Sequence, residues 1–174
     1  TKFREVPVEL KKEFGQKVEE HLEKIRNTNE NYLIDVDESR FSNGEGKITL
    51  KNSVREKNLF ILSDVGNYSL GYEYHGQKHI LSPDEHFQDI KRVISALQGY
   101  AKKIVLIMPL LYQSRQDKRI ENESLDCALA LQELERLGVK SIITFDAHDP
   151  NVINATPSLS FDNFYPSSTI IEEM

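Results

Sequence analysis

The segment SRQDKR, at residues 114–119, carries side chains suited to a charged ligand and directly follows an apolar run. Arg115 has a planar guanidinium whose five donors match phosphate or carboxylate oxygens. Gln116 both donates and accepts hydrogen bonds, as a nucleotide base requires. The same composition is also typical of a solvent-exposed polar loop. Taken alone, the segment leaves both interpretations open.

A second polar segment, DAHDPN, begins at Asp146 and also follows an apolar run. Asp146 and His148 are two residues apart, which puts a carboxylate and an imidazole on the same side of an extended chain. Mg²⁺ usually takes one or two carboxylates with water and substrate phosphate, and histidine is a less common ligand. The alternative is that Asp146 caps a turn and His148 is a hydrogen-bonded loop histidine.

A third segment, RFSNGEGK at residues 40–47, places an aromatic residue among polar neighbours. Phe41, Asn43 and Glu45 follow one another at two-residue steps, so they share one face of an extended segment. An exposed aromatic ring of this kind is typical of an intersubunit pocket or of a surface that stacks on a base. The alternative is that Phe41 folds back onto the domain.

The elements that position these segments follow an α/β pattern. Continuous aliphatic runs predict strands buried on both faces of a parallel sheet: NLFILSD (58–64), KIVLIMPL (103–110) and KSIITFD (140–146). Two helical patterns separate them: SPDEHFQDIKRVISALQGYA, with Ser82 as cap and Pro83 at the first helical position, and NESLDCALALQELERLG, ending at Gly138. The alternation predicts a right-handed, doubly wound α/β layer with a mainly parallel sheet. Ligands bind such sheets at the carboxyl ends of the strands, so we expect the Arg115 and His148 segments to lie close together.

Three further local patterns complete the expected organisation. Apolar residues at steps of three and four predict an amphipathic helix over residues 7–26: Leu10, Phe14, Val18, Leu22 and Ile25. NYLIDVDESRF and GKITLKNSV flank the turn residues SNGEG and predict a projecting β-hairpin over about residues 40–51. In the segment 65–83, Gly76 lies between His75 and His79 and argues against a helix. This segment therefore predicts a surface loop with solvated histidines rather than a metal site.

Composition excludes several classes of protein. A chain of 174 residues is long enough for one domain with a core, and no apolar run approaches the roughly 20 residues of a membrane-spanning helix. The net charge is −6, and acidic and basic residues are interspersed along the chain. The chain therefore lacks the clustered basic residues of a nucleic-acid binder. Cys127 is the only cysteine, and the charged N-terminus lacks the apolar core of a signal peptide. We therefore predict a cytoplasmic protein that binds neither nucleic acid nor membranes.

Both ends of the chain suggest a longer protein. The sequence starts at Thr1 rather than at a methionine, and SSTIIEEM, with Ser168 or Thr169 as cap, predicts the start of a new helix. We expect a single domain over 1–174 that was once followed by more protein.

Four segments of the chain resemble ribose-phosphate pyrophosphokinases, also called phosphoribosyl pyrophosphate synthetases. In order, they are RFSNGE with SVREKNLFIL, MPLLYQSRQDK, an ES helix start, and GVKSIITFDAHD. The resemblance runs from about Arg40 to Tyr165 and implies a phosphoribosyltransferase-like fold in the N-terminal half of a two-domain enzyme. Such an enzyme transfers the β,γ-pyrophosphoryl group of Mg-ATP to the C1 hydroxyl of ribose 5-phosphate. The products are phosphoribosyl pyrophosphate and AMP, and the family assembles as hexamers built from dimers.

The resemblance also implies where ATP binds. In this family a phenylalanine, an acidic residue and a glutamate on the hairpin hold the adenine of ATP bound to a neighbouring subunit. Phe41, Asn43 and Glu45 match those positions, with Asn43 replacing the usual aspartate. An asparagine oxygen still accepts a hydrogen bond from the adenine amine, without the charge. The Arg-Gln of the family's RQD motif contacts ATP and corresponds to Arg115 and Gln116.

The implied metal and regulatory sites use four further residues. A magnesium-ligating histidine of the family matches His148, with Asp146 beside it. A Ser-x-Arg motif that binds an allosteric phosphate matches Ser53 and Arg55. The resemblance therefore implies Mg²⁺ as cofactor and ATP as substrate.

The chain departs from the family pattern after His148. It reads PNVINATPSLSFDN, without the usual aromatic pair, and Asp162 matches the next acidic position only if one residue is inserted. The sequence has no Gly-Gly pair, whereas the family holds ribose 5-phosphate in a glycine-rich loop of its second domain. We therefore assign no catalytic residue to this half and expect it to be inactive alone. One alternative is a non-catalytic regulatory or assembly relative of the family, and another is a generic α/β domain with chance motif matches.

Overall fold

A five-stranded parallel sheet forms the centre of the fold. The computed structural model describes residues 3–7, 12–28, 31–97 and 99–173. Its elements are β1 (Phe3–Pro7), α1 (Lys12–Arg26), β2 (Val36–Arg40), β3 (Gly46–Leu50), β4 (Asn58–Leu62), β5 (Gly71–Tyr74), β6 (Gln77–Ile80), α2 (Pro83–Leu97), β7 (Lys103–Ile107), α3 (Asp126–Arg136), β8 (Val139–Phe145), a 3₁₀ helix (Pro150–Ala155), β9 (Ser160–Phe164) and α4 (Ser167–Glu173). The sheet order is β1-β4-β7-β8-β9, the same as the chain order, and every neighbouring pair is parallel. The mainly parallel α/β sheet is confirmed.

The three predicted aliphatic strands are present as β4, β7 and β8. Ile61 of β4 pairs with Leu106 of β7, which in turn pairs with Ile142 of β8, and all three side chains are fully buried. Burying an aliphatic side chain of this size contributes about 1.5–3 kcal/mol, so the continuous apolar runs are explained by their place in the middle of the sheet.

Both predicted helices between these strands are confirmed, with the expected start of α2 and the expected end of α3. Each is shorter at its other end, because α2 stops at Leu97 and α3 begins only at Asp126. Glu85 N donates to Ser82 Oγ (3.3 Å) and Ser82 N donates to Glu85 Oε2 (2.9 Å), a capping box at the start of α2 with Pro83 as its first residue. Gly138 follows α3 with φ of +98°, the left-handed conformation that glycine adopts readily after a helix. Within the described ranges no helix is long and apolar enough to cross a membrane.

The N-terminal helix is shorter than the sequence predicts. Pro7 belongs to β1, where it pairs with Leu62, and α1 begins at Lys12. Residues 8–11, including the predicted core residue Leu10, lie outside the described residues. The apolar spacing that predicts the helix does not reveal the strand Phe3–Pro7. That strand depends on backbone hydrogen bonds with its parallel neighbour β4. At the other end of the chain, α4 begins at Ser167, so Ser168 and Thr169 lie inside the helix rather than at its cap.

Two β-hairpins project from the sheet. The predicted one consists of β2 and β3, and its base packs on the core through Val36, Ile48 and Leu50, which are partly buried. A second hairpin, β5 and β6, occupies the segment that the sequence predicts as a surface loop. Its two turn residues, His75 and Gly76, both have positive φ (49° and 75°), which is the requirement of a type I′ turn. A His-Gly pair is a weak signal for this turn compared with Asn-Gly, so the sequence does not reveal it.

Candidate functional site

The loops that follow β7 and β8 contact each other at the carboxyl edge of the sheet. His148 N donates to Ser114 Oγ (2.9 Å), and His148 Nδ1 lies 2.9 Å from Asp117 Oδ2. Lys118 Nζ lies 2.9 Å from Asp149 Oδ2. These three contacts confirm that the two polar segments lie close together.

The Asp117–His148 pair determines which imidazole nitrogen faces solvent. The Asp117 side chain is 6% exposed, whereas that of His148 is 62% exposed. An ionised carboxylate only accepts hydrogen bonds, so Nδ1 of His148 carries the proton and Nε2 keeps a free lone pair in the neutral ring. A histidine held by a carboxylate in this way is the usual arrangement of a metal-ligating imidazole.

Asp149 is engaged within its own loop. The hydrogen bond from Lys118, followed by the one from Asn151 N, lowers the pKa of Asp149, and Asp149 in turn raises the pKa of Lys118. Asp149 Oδ1 also accepts from the Asn151 side chain and caps the 3₁₀ helix. Its carboxylate therefore orders the loop beside His148.

Arg115 and Gln116 lie at this edge with different degrees of restraint. Gln116 Nε2 donates to the Ser124 carbonyl (2.9 Å), and the Gln116 carbonyl accepts from Cys127 N (3.3 Å), so this residue ties the loop to the start of α3. Arg115 is exposed. In the described part of the chain no side chain or carbonyl pairs with its guanidinium.

The donors for a cation at this edge are few. Asp146 is exposed, has φ of 50°, a conformation that aspartate tolerates better than most residues, and donates its N–H to the Phe164 carbonyl. The described residues contain no group of three or more His, Cys, Asp or Glu side chains that would hold a metal ion. The two candidate donors, the His148 imidazole and the Asp146 carboxylate, are too few for a metal held by the protein alone, so a Mg²⁺ ion here would have to keep several waters and take substrate phosphate as further ligands.

The tip of the first hairpin presents the three residues that the sequence singles out. Phe41 is 55% exposed, so it does not fold back onto the domain. Asn43 Nδ2 donates to Glu45 Oε2 (2.8 Å), and Glu45 N donates to Asn43 Oδ1 (3.1 Å). Across the described residues no hydrogen bond or ion pair joins this tip to the loops after β7 and β8. The tip and the two loops are therefore separate surfaces within one chain.

Ser53 and Arg55 line one cleft next to the first hairpin. The cleft has a volume of about 380 Å³ and is also lined by Tyr100. The Arg55 guanidinium carbon lies 5.3 Å from the centre of the Tyr100 ring, and the Ser53 carbonyl accepts from Lys57 Nζ (2.6 Å). The two residues are thus brought together, with Arg55 exposed.

Sequence reasoning missed two residues that order the edge of the sheet. Asp117, within SRQDKR, could have been proposed as an orienting partner of His148, because the sequence already predicted that the two polar segments lie close together. Asn163 Oδ1 accepts from Ala147 N (3.0 Å), between Asp146 and His148. No sequence signal points to Asn163, because its position depends on the pairing of β9 with β8. Asp162, its neighbour on β9, is exposed.

The fold and these loops define an α/β protein with its polar groups gathered at the carboxyl ends of parallel strands. A family model described as the N-terminal domain of ribose phosphate pyrophosphokinase matches residues 7–138. Because this match covers most of the chain, the protein belongs to the ribose-phosphate pyrophosphokinase family, in the part that corresponds to its N-terminal domain.

Individual relatives agree with this assignment. The chain is 29% identical over 140 residues to ribose-phosphate pyrophosphokinase 1 of Schizosaccharomyces pombe, covering 79% of this chain and 31% of that protein. It is 28% identical over 116 residues to the ribose-phosphate pyrophosphokinase of Bacillus caldolyticus, covering 66% of this chain and 32% of that protein. The crystal structure of phosphoribosylpyrophosphate synthetase from Mycobacterium smegmatis shares the fold, with a TM-score of 0.80 over 99% of this chain and 51% of that one, at 19% identity. The chain therefore spans about a third of these curated relatives and about half of the solved structure.

Proposed function

We propose that this chain is the ATP- and magnesium-binding domain of an enzyme that transfers pyrophosphate from ATP to ribose 5-phosphate. The product, phosphoribosyl pyrophosphate, serves nucleotide synthesis. The observation that supports this most is the contact of Ser114 and Asp117 with His148, because it gathers the polar ends of β7 and β8 around one oriented imidazole. Family membership supplies the reaction class.

Each residue at the sheet edge has a role in this proposal. Arg115, exposed and without a partner in the described ranges, binds phosphate oxygens of ATP. Gln116, whose loop is tied to α3, contacts the nucleotide. His148 and Asp146 hold Mg²⁺, which, when bound, neutralises phosphate charge during phosphoryl-type transfer.

In this proposal the remaining predicted residues bind ligands at a subunit interface and at a regulatory site. Phe41, Asn43 and Glu45 receive the adenine of ATP bound to a neighbouring subunit, so function requires a homo-oligomer. A ring that is 55% exposed is available for such stacking. Ser53 and Arg55 bind a regulatory phosphate in the cleft beside Tyr100. No catalytic residue is assigned to this chain.

Calorimetric titration of the intact protein with Mg-ATP tests the proposal. Arg115→Ala removes a charge-assisted hydrogen bond worth about 1.5–3 kcal/mol, so we expect the Kd for ATP to rise by roughly tenfold or more. Arg119→Ala removes an equal charge from the same exposed segment and serves as the matched control, with little change expected. An unchanged Kd in Arg115→Ala would contradict the assignment of the phosphate site.

A second candidate function is a non-catalytic regulatory or assembly relative of the same family. Two observations favour it: Asn43 replaces the usual acidic residue, and its side chain is satisfied by Glu45 without a ligand. Under this alternative the intact protein shows no Mg-ATP binding heat, and Arg115→Ala changes nothing. The same titration therefore separates the two functions.

A further inference from the structure

Arg40 lies at the point where the first hairpin meets the body of the domain. It is the last residue of β2 and directly precedes Phe41. Its guanidinium donates through Nη1 to Asp89 Oδ1 (3.0 Å) and through Nη2 to Asp89 Oδ2, a bidentate pair with a residue 49 positions along the chain. Such a pair restricts both the distance and the orientation of the two groups.

Asp89 is a buried carboxylate with two cationic partners. Its side chain is 2% exposed, and it also accepts from Arg92 Nη1 (2.5 Å) in the next turn of α2. A buried carboxylate is costly unless its oxygens are paired, and the two guanidiniums supply partners for both oxygens of Asp89. Asp89 therefore anchors the end of β2 to α2.

The second hairpin contacts the same arginine from another side. The ring of Tyr72, on β5, has its centre 5.3 Å from the Arg40 guanidinium carbon, a cation–π distance. Tyr72 Oη donates to Glu85 Oε1 (3.3 Å) in the first turn of α2. The ring is thus itself held against the helix that carries Asp89.

The backbone of the tip also approaches the second hairpin closely. Gly44 has φ of +88°, and a Cβ in its place would lie 3.1 Å from Tyr72 Oη and 3.7 Å from Tyr74 Cε2. The five-residue loop 41–45 is therefore supported at its base by Arg40 and at its side by Tyr72. A two-stranded hairpin alone is only marginally stable, so we expect the conformation of this loop to depend on these two contacts.

We propose that Arg40 is a positioning residue, clamped by Asp89 and Tyr72, that holds Phe41, Asn43 and Glu45 in the orientation needed to receive a nucleobase. This inference rests on the proposed function for its ligand. It assigns a role to the segment 65–83, whose hairpin braces the tip. Asp89, Arg40 and Tyr72 do not touch the base in this proposal and act through the tip.

Amide hydrogen exchange at the tip tests the clamp without any ligand. Phe41 N donates to the Glu45 carbonyl and Gly44 N to the Phe41 carbonyl, both at 2.8 Å, so these amides report the tip conformation. Asp89→Asn removes the charge and one oxygen acceptor, and we expect their exchange to become roughly tenfold faster or more. Glu133→Gln is the matched control, since Glu133, on α3, pairs with Lys91 of α2 at 3.1 Å and, among the described residues, makes no hydrogen bond or ion pair with the tip. Unchanged exchange in Asp89→Asn would overturn the clamp.

A milder pair of variants covers the case in which Asp89→Asn does not fold. Tyr72→Leu removes the ring face from Arg40, whereas Tyr72→Phe keeps it. We expect faster tip exchange and a several-fold higher Kd for Mg-ATP in Tyr72→Leu. Tyr72→Phe keeps the ring but loses the hydroxyl bond to Glu85, so we expect a smaller change in both. Equal tip exchange in the two variants would overturn the role of the ring.

The two readouts separate this inference from the proposed function. Tip exchange that responds as expected in a protein that does not bind Mg-ATP supports the clamp and contradicts the nucleotide function. Weaker ATP binding with unchanged tip exchange contradicts the clamp and leaves the nucleotide function supported.

Discussion

Asp117 orients the imidazole of His148 through the contact between Oδ2 and Nδ1. The carboxylate is almost completely buried, while the imidazole reaches solvent with Nε2. Sequence spacing predicted that Asp146 and His148 lie beside the Arg115 segment. The partner that orients the imidazole was not predicted, because the two residues are 31 positions apart and their contact depends on adjacent strands.

Replacing Asp117 with alanine tests this pair. Without an acceptor at Nδ1 the proton is free to move to Nε2, and loss of such an orienting partner typically lowers metal affinity by about 10–100-fold. We expect Asp117→Ala to require correspondingly more Mg²⁺ for ATP binding, measured by titrating ATP at a series of Mg²⁺ concentrations. Glu121→Ala, an exposed acid of the same loop, is the control. An unchanged Mg²⁺ dependence in Asp117→Ala would argue against a metal role for His148.

The first turn of α2 is hydrogen-bonded to the second hairpin. Glu85 closes the capping box with Ser82, and its carboxylate also lies 3.0 Å from His79 Nε2 on β6. The sequence predicted Ser82 as the cap and Pro83 as the first helical residue, because both signals are local. It did not predict that His79 is a hydrogen-bond partner of Glu85, since that contact requires the second hairpin to fold against the helix.

Acid titration tests the contribution of Glu85. Burial raises its pKa, but the hydrogen bonds from Ser82 N and from His79 outweigh burial, so the net pKa lies below the ordinary value of 4.5. A lowered pKa in the folded state gives stability that is present above the ordinary pKa and is lost as pH falls through the lowered one. We expect the free energy of unfolding in urea to decrease below about pH 4.5 and this decrease to be smaller in Glu85→Gln. Glu73→Gln, an exposed acid on β5, is expected to keep the original slope.

One continuous core joins the sheet to its helices, and Cys127 lies within it. The residue is fully buried on α3, and burial, with the nearby charge of Asp117, raises the pKa of its thiol to about 11. A buried, protonated thiol is a poor nucleophile. Since Cys127 is the only cysteine of the chain, its modification reports the opening of α3 against the core.

Thiol labelling measures that opening. At about pH 8 we expect the folded protein to react with a thiol reagent at least 100-fold more slowly than the urea-unfolded chain, because reaction requires exposure of α3. Labelling followed by mass spectrometry gives both rates. Equal rates for the folded and unfolded chains would show that α3 opens independently of the core.

The local pattern of the sequence by itself determined the middle of the molecule: the buried strands β4, β7 and β8, the helices α2 and α3, the first hairpin and the placement of polar segments after two strands. Each of these carries its own signal, an apolar run, a cap or a turn, within a few residues. The tertiary structure alone decided β1, β9 and the second hairpin, since their short sequences become strands only when a partner offers its hydrogen bonds. It also decided the pairs Asp117–His148 and Arg40–Asp89, because those side chains are separated by 31 and 49 positions and meet only once the strands and helices have packed.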